Sequence, residues 1–327
     1  MKYRNLNKVQ VAEVGLGTWQ LGSSDWGEMN EEAAIEILTA YIDLGGNFID
    51  TADVYGMGVS EKVIGRFLQQ QKKSIFVATK LGRRHDNGNG WPQNFTYDFM
   101  KRQVETSLHH LGVSQVFLEQ LHCIPTETML AGEVFDHLRR LQQEGLISHW
   151  GASVETVEEA LICLEEEGIT SLQMIFNLYR QHIAEEIFEK AMSKKVAIIV
   201  RVPLASGLLS GKFSEATVFQ QNDHRNYNAN GEAFNAGETF SGIEFAKGVQ
   251  FSREIAALLP DNRMASWALR WILDHPAVTT VIPGASSVAQ VKSNMTASEL
   301  GPLSNGIHES LRGLYEKEIH PVIRGRY

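Results

Sequence analysis

The chain has 327 residues, 43% hydrophobic and 21% charged, the composition of a globular protein able to bury a large core. Its net charge of −9, from 30 Lys and Arg against 39 Asp and Glu, argues against nucleic acid or an anionic membrane as a partner. Cys123 and Cys163 form no C-x-x-C pair and are too few for a disulfide scaffold. The start, MKYRNLNKVQ, lacks the apolar stretch of a signal peptide. Runs such as 196–200 fall far short of the roughly 18 apolar residues of a membrane span. A reducing, cytoplasmic setting is the default expectation, and the sequons at Asn94 and Asn294 read as chance matches.

Residues 1–12 (YRNL, then KVQVA) predict a small leading hairpin. Short β-branched apolar runs follow at 13–17, 47–50, 74–79, 116–121, 148–152, 171–176, 196–200 and 279–282. Segments of helical period lie between them. In 33–44, Ile35, Leu38 and Ile42 share a face; in 97–111, Met100, Val104 and Leu108 recur at four-residue spacing. Glu158, Glu159, Glu165 and Glu166 fill outer faces, and Glu165–Glu167 reads as a solvated acidic face. Eight strand–helix alternations with near-continuous apolar strands predict an α/β fold, a parallel sheet closed into a (β/α)8 TIM barrel. An open dinucleotide-binding sheet would carry G-x-G-x-x-G after its first strand. Here Gly15-Leu16-Gly17-Thr18-Trp19-Gln20 has Gln in the third glycine position. No Walker A loop, H-E-x-x-H motif or low-complexity linker is present, so one barrel domain over 1–327 is expected.

A barrel of about 250 residues leaves roughly 77 to place. They are assigned to the hairpin, to an irregular Gly, Asn and Ser-rich stretch at 205–248, and to a tail at 297–327. A loop as long as 205–248 within a compact domain points to function or to disorder.

Active sites of such barrels gather at the C-terminal ends of the strands. Asp50 closes the second predicted strand, Tyr55 follows five residues later, Lys80 closes the third and His122 the fourth. Singly, each has an ordinary reading: a turn-capping Asp, a packing Tyr, a solvated Lys, a structural His. Together they form a coherent chemistry. A phenol, with a pKa near 10, is a poor acid–base group at neutral pH, and a neighbouring ammonium favours its ionised form. Asp50 can position that ammonium. Tyr55 would then exchange a proton with an oxygen on carbon, while His122 orients a carbonyl. None of the four is a nucleophile or part of a metal site, so hydride would come from a cofactor.

The segments GLGTW (15–19), FIDTADVYG (48–56), ATKLG (78–82) and QLHCIP (120–125) resemble the aldo-keto reductase superfamily in order and spacing. So do GAS (151–153), RVPLASGLLSGKF (201–213) and IPGASS (282–287). The resemblance implies a (β/α)8 barrel that binds NADP(H) and reduces aldehydes or ketones to alcohols. It implies Asp50, Tyr55, Lys80 and His122 as the catalytic tetrad, with Tyr55 the proton donor.

It further implies cofactor contacts at Gly17, Thr18, Trp19 and Asp50 near the nicotinamide–ribose end. Ser153 and Gln173, with Asn177 close behind, would hold the carboxamide. Arg201 stands where relatives often carry an aromatic ring; it would stack on the nicotinamide or form a salt bridge at the rim. Pro203, Leu204, Ser206, Gly207 and Lys212 match a loop folding over the pyrophosphate. This would make 205–248 a cofactor clasp. Gly284, Ser286, Gln290 and Asn294 match positions around the adenosine 2′-phosphate and adenine. Two departures stand out. Val154 follows Ser153 where many members carry Asn. Ser286 and Ser287 replace the Lys or Arg of some relatives, leaving hydroxyls and a helix N-terminus for the phosphate and opening the use of NAD(H) as well.

For the substrate, a small carbonyl compound, Trp19, Tyr55, His122 and Trp26 are expected to wall the pocket, with Trp91 a further candidate. Trp26 and Trp91 serve equally as loop anchors, and Cys123 reads as packing. No metal, nucleic acid or membrane partner is implied, and no oligomeric state. Potassium-channel β subunits are similar to the same family, so a redox-sensing regulatory subunit with slow turnover is the alternative. A barrel for phosphorylated sugars is a third.

Overall fold

A computed structural model describes residues 1–22, 29–84 and 95–325. The leading hairpin is present as β1 (Tyr3–Leu6) and β2 (Val9–Ala12), paired antiparallel with Tyr3 opposite Ala12. Eight parallel strands follow in spatial order of sequence: β3 (Leu16–Gly17), β4 (Phe48–Asp50), β5 (Phe76–Leu81) and β6 (Val116–His122), then β7 (Ile147–Ser153), β8 (Ser171–Ile175), β9 (Ala197–Arg201) and β10 (Val278–Val281). Parallel bridges from Val14 to Val281 and from Gly17 to Gly284 join the last strand to the first. The TIM barrel expected from the eightfold alternation is thus formed. Closure explains Gly17: a Cβ there would lie 2.7 Å from the Ile282 carbonyl oxygen. The first strand is shorter than 13–17, because Val14 contributes only an isolated bridge.

Alternation along the strands separates two cores. Phe48, Ala78, Leu118, Ile199 and Ile282 face inward, and Leu6 and Val11 of the hairpin pack on them as a floor. Thr280 Oγ1 donates to the Ala12 carbonyl at 2.9 Å, pinning that floor to the last strand. The opposite strand faces bury against the surrounding helices.

The helix at Glu31–Asp43 begins two residues earlier than expected, because Asn30 caps it by accepting from the Ala33 amide. Its buried stripe is Ala34, Ile37, Leu38, Tyr41 and Ile42, an i, i+3, i+4, i+7, i+8 series, while Ile35 lies at its margin. Tyr97–Leu111 has the expected bounds, started by Thr96 and stopped by Gly112 at φ 65°. The irregular stretch ends sooner than 248, since Phe245–Leu258 is helical, and within it lie short turns at His224–Tyr227, Ala236–Glu238 and Phe240–Gly242. The tail contains a helix at Asn305–Leu314. The acidic face is ion-paired rather than only solvated: Glu165 meets Lys194 at 2.9 Å and Glu166 meets Arg139. Asn94 lies outside the described residues, and Asn294 is buried. Among the described residues no helix is long and apolar enough to cross a membrane.

Candidate active site

The four strand-end residues converge at the C-terminal mouth of the barrel. Asp50, the last residue of β4, and Lys80, inside β5, both point inward by alternation and are buried. Lys80 Nζ donates to Asp50 Oδ1 at 2.5 Å, to the Thr51 carbonyl at 2.6 Å and to the Tyr55 hydroxyl at 3.4 Å. Gln120 Nε2 and Gln173 Nε2 donate to the other Asp50 oxygen at 3.2 and 2.7 Å. One buried carboxylate thus accepts from an ammonium and two amides, which is what retains a charge away from water.

Tyr55 opens the turn Tyr55–Gly58, whose Gly56 and Met57 have φ of 57° and 55°. The turn is anchored from the helix that follows it. Ser60 Oγ accepts from Thr51 Oγ1 at 2.9 Å and donates to Thr18 Oγ1 at 3.0 Å. The Tyr55 ring stacks on Trp19 at 6.0 Å and meets His122 edge-on at 6.0 Å.

Burial pushes the Tyr55 phenol above its ordinary pKa, against the Lys80 ammonium, which pulls it down. The ammonium alone would favour the phenolate; desolvation wins, so the phenol keeps its proton at neutral pH. For Lys80, burial works to strip the proton, yet Asp50 and Tyr55 hold its pKa above the ordinary ammonium value. Burial, with Arg83, Lys80 and Arg201 nearby, drives His122 well below the usual imidazole range. It is a neutral ring, and its Nδ1 has no hydrogen-bond partner among the described residues.

A cavity of about 700 Å³ spreads from these groups across the barrel mouth. At its inner end it is lined by Gly17, Thr18, Trp19, Asp50, Tyr55 and His122, with Gln173 and Arg201 beside them. Pro203, Leu204, Ser206, Gly207, Lys212, Gly284, Ser286, Gln290 and Asn294 line the rest of it. The groove suits a dinucleotide. Ser206 and Gly207, at φ 54° and 98°, turn the backbone along one wall, and Ser287 caps the Val288–Met295 helix at the far end. Positive φ at non-glycine residues concentrates around this mouth, at Met57, Cys123, Val202, Ala205, Ser206, Phe240 and Ser241, leaving only Asn7 and Lys195 elsewhere among the described residues. Such strain persists where surrounding contacts over-determine it, commonly at working sites.

Two expected contacts, Ser153 and Asn177, do not line the cavity. Ser153 is buried behind the cavity, its hydroxyl donating to Gln173 Oε1 at 3.4 Å. Asn177 braces the long loop instead, donating to the Val202 carbonyl and Ser241 Oγ, both at 2.9 Å. Arg201 makes the salt bridge, its Nη1 2.7 Å from Glu238, while still lining the cavity. Trp26 and Trp91 lie outside the described residues. Cys123 is partly buried, with its Sγ 3.7 Å from Arg201 Nη2.

Several residues escaped the sequence reading. Glu238 reaches from the long loop to Arg201 and to Arg83 at 3.4 Å, and Arg83 also meets Glu155 at 3.1 Å. Burial opposes ionisation of Glu238, but the two guanidiniums hold its pKa below the ordinary value. Cys123, Glu155 and Glu238 come close enough together to suggest a metal, yet Arg83 and Arg201 already neutralise the carboxylates. No local period links such distant positions. Gln120, by contrast, was readable: two residues before His122 on one strand, it shares the inward face.

Residues 13–316 match the family model described as Aldo/keto reductase family. The oxidoreductase YqkF of Bacillus subtilis is 30% identical over 99% of this chain and 100% of its own length. Among solved structures, the holo form of the aldo-keto reductase AKR11C1 from Bacillus halodurans is 28% identical, with a TM-score of 0.78 and 96% of each chain covered. The glycerol dehydrogenase AKR11B4 from Gluconobacter oxydans is 26% identical, with a TM-score of 0.82, covering 100% of this chain and 98% of that one. With a matched family model across most of its length, this chain belongs to the aldo/keto reductase family of oxidoreductases.

Proposed function

We propose that this barrel works as a single domain and reduces an aldehyde or ketone to an alcohol with NADP(H), which supplies the hydride. The reading is carried by the contact chain from Asp50 through Lys80 to the Tyr55 hydroxyl, which opens into a cavity of about 700 Å³. Tyr55 stays protonated at neutral pH and serves as general acid. As negative charge builds on the substrate oxygen, the phenolic proton moves to it, and the Lys80 ammonium stabilises the phenolate left behind. His122, a neutral ring, donates its one N–H to the same oxygen and fixes the carbonyl's angle without competing as a proton source. Trp19 walls the substrate side.

At the inner end Gly17, Thr18, Trp19, Gln173 and Arg201 would hold the nicotinamide–ribose part. Ser206, Gly207 and Lys212 would hold the pyrophosphate, and Gly284, Ser286, Gln290 and Asn294 the adenosine. Tyr55→Phe tests the reading: turnover on a panel of aldehydes is expected to fall by about 10²-fold or more while NADPH affinity is kept. Undiminished turnover in Y55F overturns the mechanism. One slow turnover per bound cofactor in the wild type would favour a redox-sensing role instead.

A further inference from the structure

We infer that Arg263 is the residue that selects the 2′-phosphorylated cofactor, reading the phosphate from the wall opposite Ser286 and Ser287; this rests on the dinucleotide reading above. Three segments meet along the groove. A Cβ on Gly211 would lie 3.2 Å from Met264 Sδ, so the Gly211–Lys212 turn sits against the start of the Met264–Leu273 helix. Ser266 Oγ donates to the Ser293 carbonyl at 2.8 Å, tying that helix to Val288–Met295. Arg263 immediately precedes the first helix and Ser287 the second. Lys212, Arg263, Ser286 and Ser287 all line the same cavity.

The guanidinium of Arg263 is held by one edge only. Asp261 accepts from Nε at 3.0 and 3.1 Å and from Nη2 at 2.6 Å, and its Oδ1 also accepts from the Arg263 amide at 2.9 Å. Trp267 donates its Nε1 to the same carboxylate at 2.9 Å, and the Arg263 guanidinium lies 5.6 Å from its ring. Asp261 does not line the cavity, whereas Arg263 does, and Nη1 has no partner among the described residues. The fork is therefore pre-oriented by Asp261, with Nη1 left over on a residue that lines the groove. Arg263 also occupies the position that caps the Met264–Leu273 helix, where a side-chain acceptor is favoured, and it makes no capping bond.

Charge along the cavity supports the assignment. Its lining carboxylates are Asp50, paired with Lys80, and Glu238, paired with Arg201 and Arg83, all beside the tetrad. Beside Arg263, Lys212 lines the cavity with no ion-pair partner among the described residues. In a chain of net charge −9, that is a local reversal of sign. The two cofactors differ by one phosphate monoester on the adenosine ribose. The hydroxyls of Ser286 and Ser287 can bond a ribose hydroxyl or a phosphate alike, so they discriminate weakly. A guanidinium edge matches a phosphate bidentately and gains little from a neutral hydroxyl.

The test measures dissociation constants of wild type, Arg263→Ala and Arg263→Lys for NADPH, NADH, 2′,5′-ADP and 5′-ADP, by calorimetry. Arg263 has a side chain 47% exposed, so these variants are expected to fold. R263A should weaken NADPH and 2′,5′-ADP by roughly tenfold or more and leave NADH and 5′-ADP within about twofold. R263K should fall between, keeping the charge without the fork. An unchanged ratio of NADPH to NADH affinity in R263A overturns the inference and leaves the reductase reading intact. Equal loss on all four ligands overturns it too, since Arg263 would then only support the groove. A wild type that binds neither dinucleotide overturns the reductase reading, and this inference with it.

Discussion

On the inner face of β5 and β6, Lys80 and Gln120 stand side by side and meet Asp50. On the outer face, Thr79 and Glu119, one residue earlier on each strand and also register partners, look toward the helices that carry Glu61 and His110. Both faces bury carboxyl groups, with opposite outcomes. Inside, one carboxylate has an ammonium and two amides, and the charges are kept. Outside, three carboxyls gather: Glu61 accepts from Thr79 Oγ1 at 2.7 Å and meets His110 Nδ1 at 3.0 Å. Among the described residues, both oxygens of Asp53 and both of Glu119 are buried without a hydrogen-bond partner. Burial, then repulsion from Glu61, pushes Asp53 well above the carboxyl range, with Arg84 and Lys80 only partly opposing. Burial and the charges of Asp53 and Glu61 do the same to Glu119, against Lys80. Depth alone therefore does not decide ionisation; an opposite charge within hydrogen-bond reach does.

The largest break in this contrast is Lys80→Met. It leaves the Asp50 charge buried with only two amides, a destabilisation of about 3–5 kcal/mol by urea titration. Turnover should fall by roughly 10²- to 10⁴-fold with it. Adding Asp50→Asn should restore much of the stability and none of the turnover, since the amide needs no counter-charge but cannot fix an ammonium. A K80M protein as stable as wild type would mean that the inner charge is already neutralised some other way.

Glu119→Gln makes the opposite change, on the outer face. Below about pH 4 Glu119 carries its proton folded or unfolded, so the substitution changes little. As pH rises, the unfolded chain releases that proton while the folded chain retains it, and wild-type stability falls until the folded group itself ionises. E119Q escapes this loss. Its advantage should grow from acid toward neutral pH at about 1.4 kcal/mol per pH unit over the gap between the two pKa values. Thermal unfolding from pH 4 to 9 measures it. A constant difference across that range would show that Glu119 is ionised in the folded protein.

How far the sequence reached follows the same divide. Strand positions, barrel closure and the order Asp50, Tyr55, Lys80, His122 were legible because each depends on local period and on where a strand ends. The outer carboxyl cluster was not. Glu119 sits within VFLEQLH as the one charged residue of a buried strand, and its neighbours Asp53 and Glu61 reach it only through the packing of a loop and a helix. Glu238 and Arg201 likewise meet across a long loop. The direction of the Tyr55 shift is hidden from sequence for a related reason: Lys80 is visible there, whereas the depth of the phenol is a property of the assembled mouth.

The smallest expected effect comes from a charge pair on the surface of the same helix. Arg66 pairs with Glu31, tying Val59–Gln69 to Glu31–Asp43, and the two side chains are 50% and 49% exposed. Water and salt screen such a pair, and ordering two long side chains offsets most of the attraction, so Arg66→Ala should change stability by about 0–1 kcal/mol. Because this helix also carries Glu61, the variant asks whether its packing is fragile in general or sensitive only at its buried carboxyls. A loss above about 2 kcal/mol, independent of salt, would mean that the Arg66 stem contributes packing. The pH dependence assigned to Glu119 would then have to be re-measured in R66A, since a loosened helix would expose the same cluster to water.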